Sequence, residues 1–298
     1  MKKIYNKISF SSRFVNFMLK MINYKKNFTT VENTKKHIKD MSCFKYNLPK
    51  KMGFNLEQFD GMSVYSYNGR INDNNKILLY VHGGAYIENA IYFQLKSVMR
   101  IAEKTNSVLV FPVYPLAPKN NYKKTYELME KLYSDLIKNN KTINMIGDSA
   151  GGGFILSFSM YLRDKNIIQP KNIIMLSPWL DISLSNPEMK EYEKKDIILS
   201  IEGSRYAGEL WRGDLPSNSF LVSPLYGNYE NLGKMTIIVG GNEILKPDID
   251  VFKEKLDKQK IEYNYFEYYK QCHNFAIYST KEAKDVAKDI ISIINNER

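Results

Sequence analysis

The chain has 298 residues, 44% of them hydrophobic and 13% aromatic, enough for one large α/β core. It carries 43 basic against 32 acidic residues, but seven of the basic ones, and no acidic one, lie between Met1 and Val31. The rest of the chain is only slightly basic, which excludes the charged stripe of a nucleic-acid-binding domain; Cys43 and Cys272 have neither metal-ligand nor C-x-x-C spacing, which removes the commonest metal and redox classes.

The N-terminal segment comes first in chain order. Apolar residues at 14, 15, 17, 18, 21 and 22 fit a wide helical face. Asn16 and Lys20 interrupt the run, so it reads neither as a signal peptide nor as a membrane span. The favoured expectation is a helix whose apolar face packs on the body of the protein. The alternative is a basic amphipathic helix, within residues 1–30, lying on an anionic membrane surface. Two cysteines demand no disulfide, so a reducing, cytoplasmic setting is the simpler one, with peripheral contact at the inner membrane surface as its variant.

From residue 76 onward, short apolar runs alternate with longer helical patterns. Strands are predicted over 76–81, 108–113, 143–146, 173–176, 236–239 and 263–268. Helices are predicted over 92–104, 122–138, 150–163, 249–258 and 281–294. Continuous apolar strands alternating with helices imply a mostly parallel sheet covered on both faces. Two segments stand outside this rhythm. Residues 1–60 read as helical or irregular. Residues 183–220 read as an insertion with a helix over 201–211. Insertions at strand carboxyl ends lie over the ligand crevice of such sheets, so together they predict a cap.

The strand at 143–146 runs into Gly147-Asp148-Ser149-Ala150-Gly151, a G-x-S-x-G pattern at a strand-to-helix junction. A serine on that sharp turn is pushed out at the top of the sheet and becomes a candidate nucleophile. It needs a base within hydrogen-bond reach. Of three histidines, only His273 follows Ser149, in the loop after the last strand. An acid is then expected between them. Glu243, just after the strand that ends in Gly240-Gly241, is the first choice. Asp248 and Asp250 read rather as residues of a helix start, and Asp181 as a residue that orders a loop. Backbone N–H donors for an oxyanion are expected from Ala150 and from Gly83 and Gly84 of His82-Gly83-Gly84-Ala85. His82 itself reads as structural.

These residues resemble the hormone-sensitive lipase family of α/β-hydrolases, in its bacterial carboxylesterase branch. His82-Gly83-Gly84-Ala85 is similar to the family's H-G-G-G segment, and Gly147 to Gly152 matches G-D-S-A-G-G. Tyr114 to Pro118, Ser177 to Asp181, Gly240 to Leu245 and His273-Asn274-Phe275 resemble four further ordered motifs. The sequence departs from the pattern in having Ala85 as the third oxyanion residue, Pro115 in place of an arginine, and glutamate as the acid.

The resemblance implies an α/β-hydrolase fold with an eight-stranded, mostly parallel sheet flanked by helices. It implies a helical cap from residues 1–60 and about 183–220, on a catalytic domain of 61–298. It further implies a serine carboxylesterase that cleaves acyl esters, commonly with short chains, as its small-molecule substrates, without metal or cofactor. Homodimers occur in the family. Two alternatives remain: a membrane-associated lipase on longer acyl chains, and a non-catalytic ligand-binding protein on the same fold.

Overall fold

The computed structural model describes residues 1–42, 46–48, 50–71, 76–138 and 141–296. Cys43 lies outside the described residues. Nine strands form one sheet: β1 (Lys2–Tyr5), β2 (Asn55–Phe59), β3 (Met62–Tyr67), β4 (Lys76–Val81), β5 (Val108–Pro112), β6 (Thr142–Asp148), β7 (Asn172–Leu176), β8 (Lys234–Gly240) and β9 (Tyr263–Tyr268). Their order across the sheet is β1-β9-β8-β7-β6-β4-β5-β3-β2. All neighbours are parallel except β3 with β5 and β2 with β3. The architecture is the expected α/β-hydrolase fold.

The central strands are buried along almost their whole length, which is why they read as unbroken apolar runs rather than as alternation. Helices α3 (Tyr92–Lys104) and α9 (Lys281–Ile294) pack together over the sheet. Another set packs through α4 (Tyr122–Leu136) and α5 (Ala150–Asp164), where Tyr126 meets the rings of Phe154, Phe158 and Tyr161 edge-on. Such edge contacts match the positive rim of one ring to the negative face of the next.

The strand order turns around at β4. β5 lies on one side of it and β6 on the other, so the two following connections leave in opposite directions. A crevice opens at the carboxyl ends of strands at such a switch point. The loop after β4 and the turn after β6 therefore meet there.

Three features differ from expectation, all in the first sixty residues. The sheet has nine strands rather than eight, because β1 adds to the edge in parallel register with β9, Lys2 opposite Tyr265. A four-residue strand with two charged positions is too short and too mixed to stand out by periodicity. β2 is almost entirely exposed, pairs only with β3, and carries no apolar alternation.

The third difference is the orientation of α1 (Phe10–Ile22). The helix begins after its Ser9 cap, which accepts the Ser12 N–H, and ends at Asn23 in the left-handed conformation. It is fastened to the body by its polar edge. Glu282 of α9 accepts hydrogen bonds from the Ser9 N–H, the Ser9 hydroxyl and the buried Ser12 hydroxyl at 2.6–2.7 Å. The apolar face, expected to pack inward, is turned out to solvent.

The two segments expected to form a cap meet each other. Helix α2 (Val31–Ser42) packs on α7 (Ile201–Arg212) of the insertion, which also carries the short α6 (Met189–Glu193). Gly203 makes this possible: a Cβ there would lie 2.2 Å from the Thr34 hydroxyl and 2.4 Å from the Phe28 carbonyl.

Candidate active site

Ser149 follows β6 with φ 52° and ψ −122°, a backbone conformation that costs a non-glycine residue energy and persists only where its surroundings hold it. They do so through small residues. A Cβ on Gly147 would lie 2.5 Å from the Gly151 carbonyl, and one on Gly151 would lie 2.0 Å from the Val81 carbonyl. Only glycine lets the turn close this tightly against β4. The Ser149 N–H donates to the Leu176 carbonyl at 2.8 Å, which ties the turn to β7.

Three predicted residues from three separate loops converge here. Ser149 Oγ lies 2.8 Å from His273 Nε2, and His273 Nδ1 lies 2.6 Å from Glu243 Oε2. All three are buried. The other Glu243 oxygen accepts the Gly240 N–H at 2.6 Å and the Ser177 hydroxyl at 2.8 Å. The carboxylate is thus fixed by β7 and β8 while it faces the imidazole. Burial opposes charge on His273, but the Glu243 hydrogen bond and the carboxylates of Glu243, Asp196 and Asp148 outweigh it and raise the histidine's pKa above its ordinary value.

The competing carboxylates lie elsewhere. Asp248 and Asp250 sit in the first turns of α8 (Lys246–Lys258), where Asp248 meets Asn186 and Asp250 pairs with Lys246. Asp181 organises its own loop, accepting from Ser183, Ser185, Ser223 and Tyr226.

The loop after β4 requires a correction. The Gly83 N–H, expected as an oxyanion donor, points inward and donates to Asp148 Oδ1 at 3.0 Å. It is consumed because a buried carboxylate needs that donor. The next two N–H groups, of Gly84 and Ala85, have no hydrogen-bond partner among the described residues. Both residues have positive φ, 124° and 50°, which turns the chain back on itself there. Ala150 opens α5, where the first N–H groups have no intrahelical acceptor. His82 is fully buried, stacks on Tyr114 at 4.4 Å and contacts the Gly83 carbonyl through Nδ1. Burial pushes its pKa down to about 4, so it is a neutral part of the loop.

Sequence reasoning missed two buried aspartates. Asp148, read only as the variable residue of the serine pattern, accepts from Tyr80, Gly83, Gln94 and Asn274 at 2.6–3.0 Å. Asp196 lies in the charged run Glu193-Lys194-Lys195-Asp196, which carries no readable pattern. It accepts the N–H groups of Ile198 and Leu199 in the cap and that of Ile244, next to Glu243. Glu88 was missed as well. It follows the Gly84-Ala85 turn and is gripped by the Tyr24 hydroxyl and by His37 Nε2, which joins the N-terminal cap to that loop.

A cavity of about 250 Å³ opens over Ser149 and His273. Its walls are mostly apolar and come from the cap on one side, with Leu19, Tyr24, Phe28 and Leu199, and from the loop after His273 on the other, with Ile277 and Tyr278.

The chain is similar to known proteins in sequence and in fold. Residues 78–277 match the family model described as alpha/beta hydrolase fold. The chain is 27% identical over 221 residues to an esterase of Acinetobacter venetianus, covering 72% of this chain and 73% of that one. Among solved structures, a candidate esterase from Staphylococcus aureus superimposes with a TM-score of 0.85 at 26% identity, over 92% of this chain and 96% of that one. An esterase from the bacterial hormone-sensitive lipase family shares the fold, with a TM-score of 0.81 at 19% identity over 97% and 99% of the two chains. The chain belongs to the alpha/beta hydrolase fold family and is a hydrolase.

Proposed function

We propose that the protein is a serine carboxylesterase acting on short- to medium-chain acyl esters through an acyl-enzyme. Ser149 Oγ attacks the ester carbonyl carbon while His273 Nε2 takes its proton. Glu243 accepts the Nδ1–H, fixes the tautomer and stabilises the imidazolium that forms. The N–H groups of Gly84, Ala85 and Ala150 receive the oxyanion, each worth about 3–4 kcal/mol in such a hole. His273 then protonates the leaving alcohol. Water, deprotonated by the same histidine, attacks the acyl carbon and frees Ser149.

The observation that carries this reading is the continuous Ser149–His273–Glu243 chain, at 2.8 and 2.6 Å, beside two unpaired N–H groups. A purely ligand-binding protein has no need of such a chain. The acyl-length preference rests on the cavity, which at about 250 Å³ falls just below the usual range of about 300–1,000 Å³ for small-molecule sites. We assign residues 1–60 to the cap, with β1 and β2 returning to the sheet, and 61–298 to the catalytic domain, whose insertion at about 183–220 completes the cap. A reducing, cytoplasmic setting is consistent with Cys272, a buried free thiol. No helix among the described residues is long and apolar enough to cross a membrane.

A series of p-nitrophenyl esters tests the reading. kcat/KM is expected to peak between acetate and hexanoate and to fall for longer chains. A maximum at palmitate would overturn the chain-length part, and no turnover on any member would overturn the activity.

A further inference from the structure

The outward face of α1 has no partner. Phe10, Phe14, Phe17, Met18, Met21 and Ile22 are 42–85% exposed. At about 3.6 residues per turn they form one stripe about 140° wide. Scattered exposed apolar residues are ordinary, but a contiguous stripe marks a surface that meets another phase or another protein.

The stripe continues into the mouth of the cavity. Ile22 at its C-terminal end lines the cavity and is 66% exposed. Across the opening, Ile91 and Phe93 also line it and are 48% and 47% exposed. Tyr92 between them is exposed too. The entrance to Ser149 therefore has an apolar rim that is continuous with the helix face.

Charge selects the occupant. Lys7, Arg13, Lys20 and Lys26 are exposed and form no ion pair with any described residue. On the helical projection Arg13 and Lys20 flank one edge of the stripe. The carboxylate that fastens the helix, Glu282, is committed to Ser9 and Ser12. A second copy meeting this face two-fold would oppose cation to cation. An anionic lipid surface instead satisfies both the apolar stripe and the charges beside it.

We propose that α1 is an interfacial anchor that seats the entrance of the cavity on an anionic bilayer, so that amphiphilic esters reach Ser149 from the lipid phase. The anchoring is a property of α1 and of the cations on and beside it; only the delivery of esters rests on the esterase reading above. The apolar side chains insert at the headgroup level while the four cations meet lipid phosphates. Ile22, Ile91 and Phe93 then stand where the cavity meets the bilayer. The anchoring is electrostatic in part, so it weakens as salt screens the charges.

The test is co-sedimentation of the full chain, as Ser149→Ala so that no ester is consumed, with vesicles. Vesicles of phosphatidylglycerol in phosphatidylcholine are compared with phosphatidylcholine alone. Binding is expected to the anionic vesicles, at least about tenfold tighter than to the neutral ones. Adding Phe17→Glu and Met21→Glu is expected to weaken it at least about tenfold. The same two substitutions in the chain that keeps Ser149 should leave hydrolysis of soluble p-nitrophenyl acetate within about twofold, which shows that the fold is intact. Absence of binding to anionic vesicles, or equal binding by the doubly substituted chain, overturns the proposal. So does a dimer in light scattering that the two substitutions dissolve while vesicles go unbound. Vesicle binding by a chain that hydrolyses no soluble ester supports the anchor and defeats the esterase reading instead.

Discussion

In the proposed mechanism the acid is the residue on which the chemistry turns. Glu243 and Asp248 are only five positions apart, and their surroundings make them opposites. Glu243 is hydrogen-bonded through both oxygens, one of them to His273. Asp248 has a single partner, Asn186, and one buried oxygen without any. Glu243→Gln is expected to lower kcat/KM at least about a hundredfold, because the amide can no longer neutralise the imidazolium. It should also move the pH profile. His273 must be neutral to act as base, and its raised pKa puts the acidic limb of kcat/KM higher than an ordinary histidine would. Without the Glu243 charge that limb shifts to lower pH. A limb that stays in place while activity falls would mean that Glu243 does not face the imidazole in solution.

Asp248 is expected to matter for stability instead. Burial pushes its pKa from 3.8 up to about 7. Its folded pKa is raised, so the folded protein holds a proton that the unfolded chain releases above about pH 4. Stability from this group is complete below that pH and is lost as pH rises through about 7. Asp248→Asn keeps the bond to Asn186 and removes the dependence. The substituted protein should match the parent near pH 4 and exceed it above pH 7 by about 2–4 kcal/mol, with kcat almost unchanged. Chemical denaturation at both pH values reads the difference.

At the scale of elements, the site is an assembly of loop ends held by buried carboxylates. Asp148 alone joins β6 to the loop after β4 through Gly83, to α3 through Gln94 and to the histidine loop through Asn274. Asn at this position keeps one acceptor oxygen and turns an NH₂ group toward the remaining donors. Asp148→Asn is therefore expected to cost about 2–5 kcal/mol, since each orphaned buried donor costs about 1–3 kcal/mol. It should also reduce kcat, because the Gly84-Ala85 turn loses its neighbour's fixed point. Thermal unfolding and kcat measured together check this; an unchanged midpoint would contradict the four-way bond. The strands and longer helices between 76 and 294 were legible because each is an apolar run or a clear helical face; the five-residue α6 was not, because about one turn and a half is too short to show a helical period. The carboxylate network was not, because Asp148 and Asp196 gain their meaning only from donors far away in sequence. Gly83 was misjudged for the same reason: adjacency to Gly84 says nothing about which N–H faces Asp148.

At the scale of the whole molecule, the N-terminal end of the chain carries the least readable part of the fold. β1 crosses back to pair with β9, and Lys2 and Lys3 pair with Asp257 and Asp289 on the elements beside it. Local pattern could not announce a short polar strand whose partner lies some 260 residues away. The helix over 10–22 was legible as a helix, but not the direction its apolar face takes. That direction is set by three serine hydrogen bonds to Glu282 rather than by hydrophobic periodicity. The N-terminal helices, the loops after the strands and the sheet together leave Ser149 at the floor of an apolar cavity, strained in its turn and aligned with His273.

The central claim is that this serine is a nucleophile, and a fluorophosphonate probe reads it directly. Mass spectrometry of the labelled chain should place a single phosphonyl group on Ser149. Labelling should disappear in Ser149→Ala, which is expected to unfold at the parent's temperature or above, because removing a strained serine's hydroxyl leaves the packing intact. An unlabelled Ser149 in folded protein, or a label on another residue that persists in Ser149→Ala, would contradict the account.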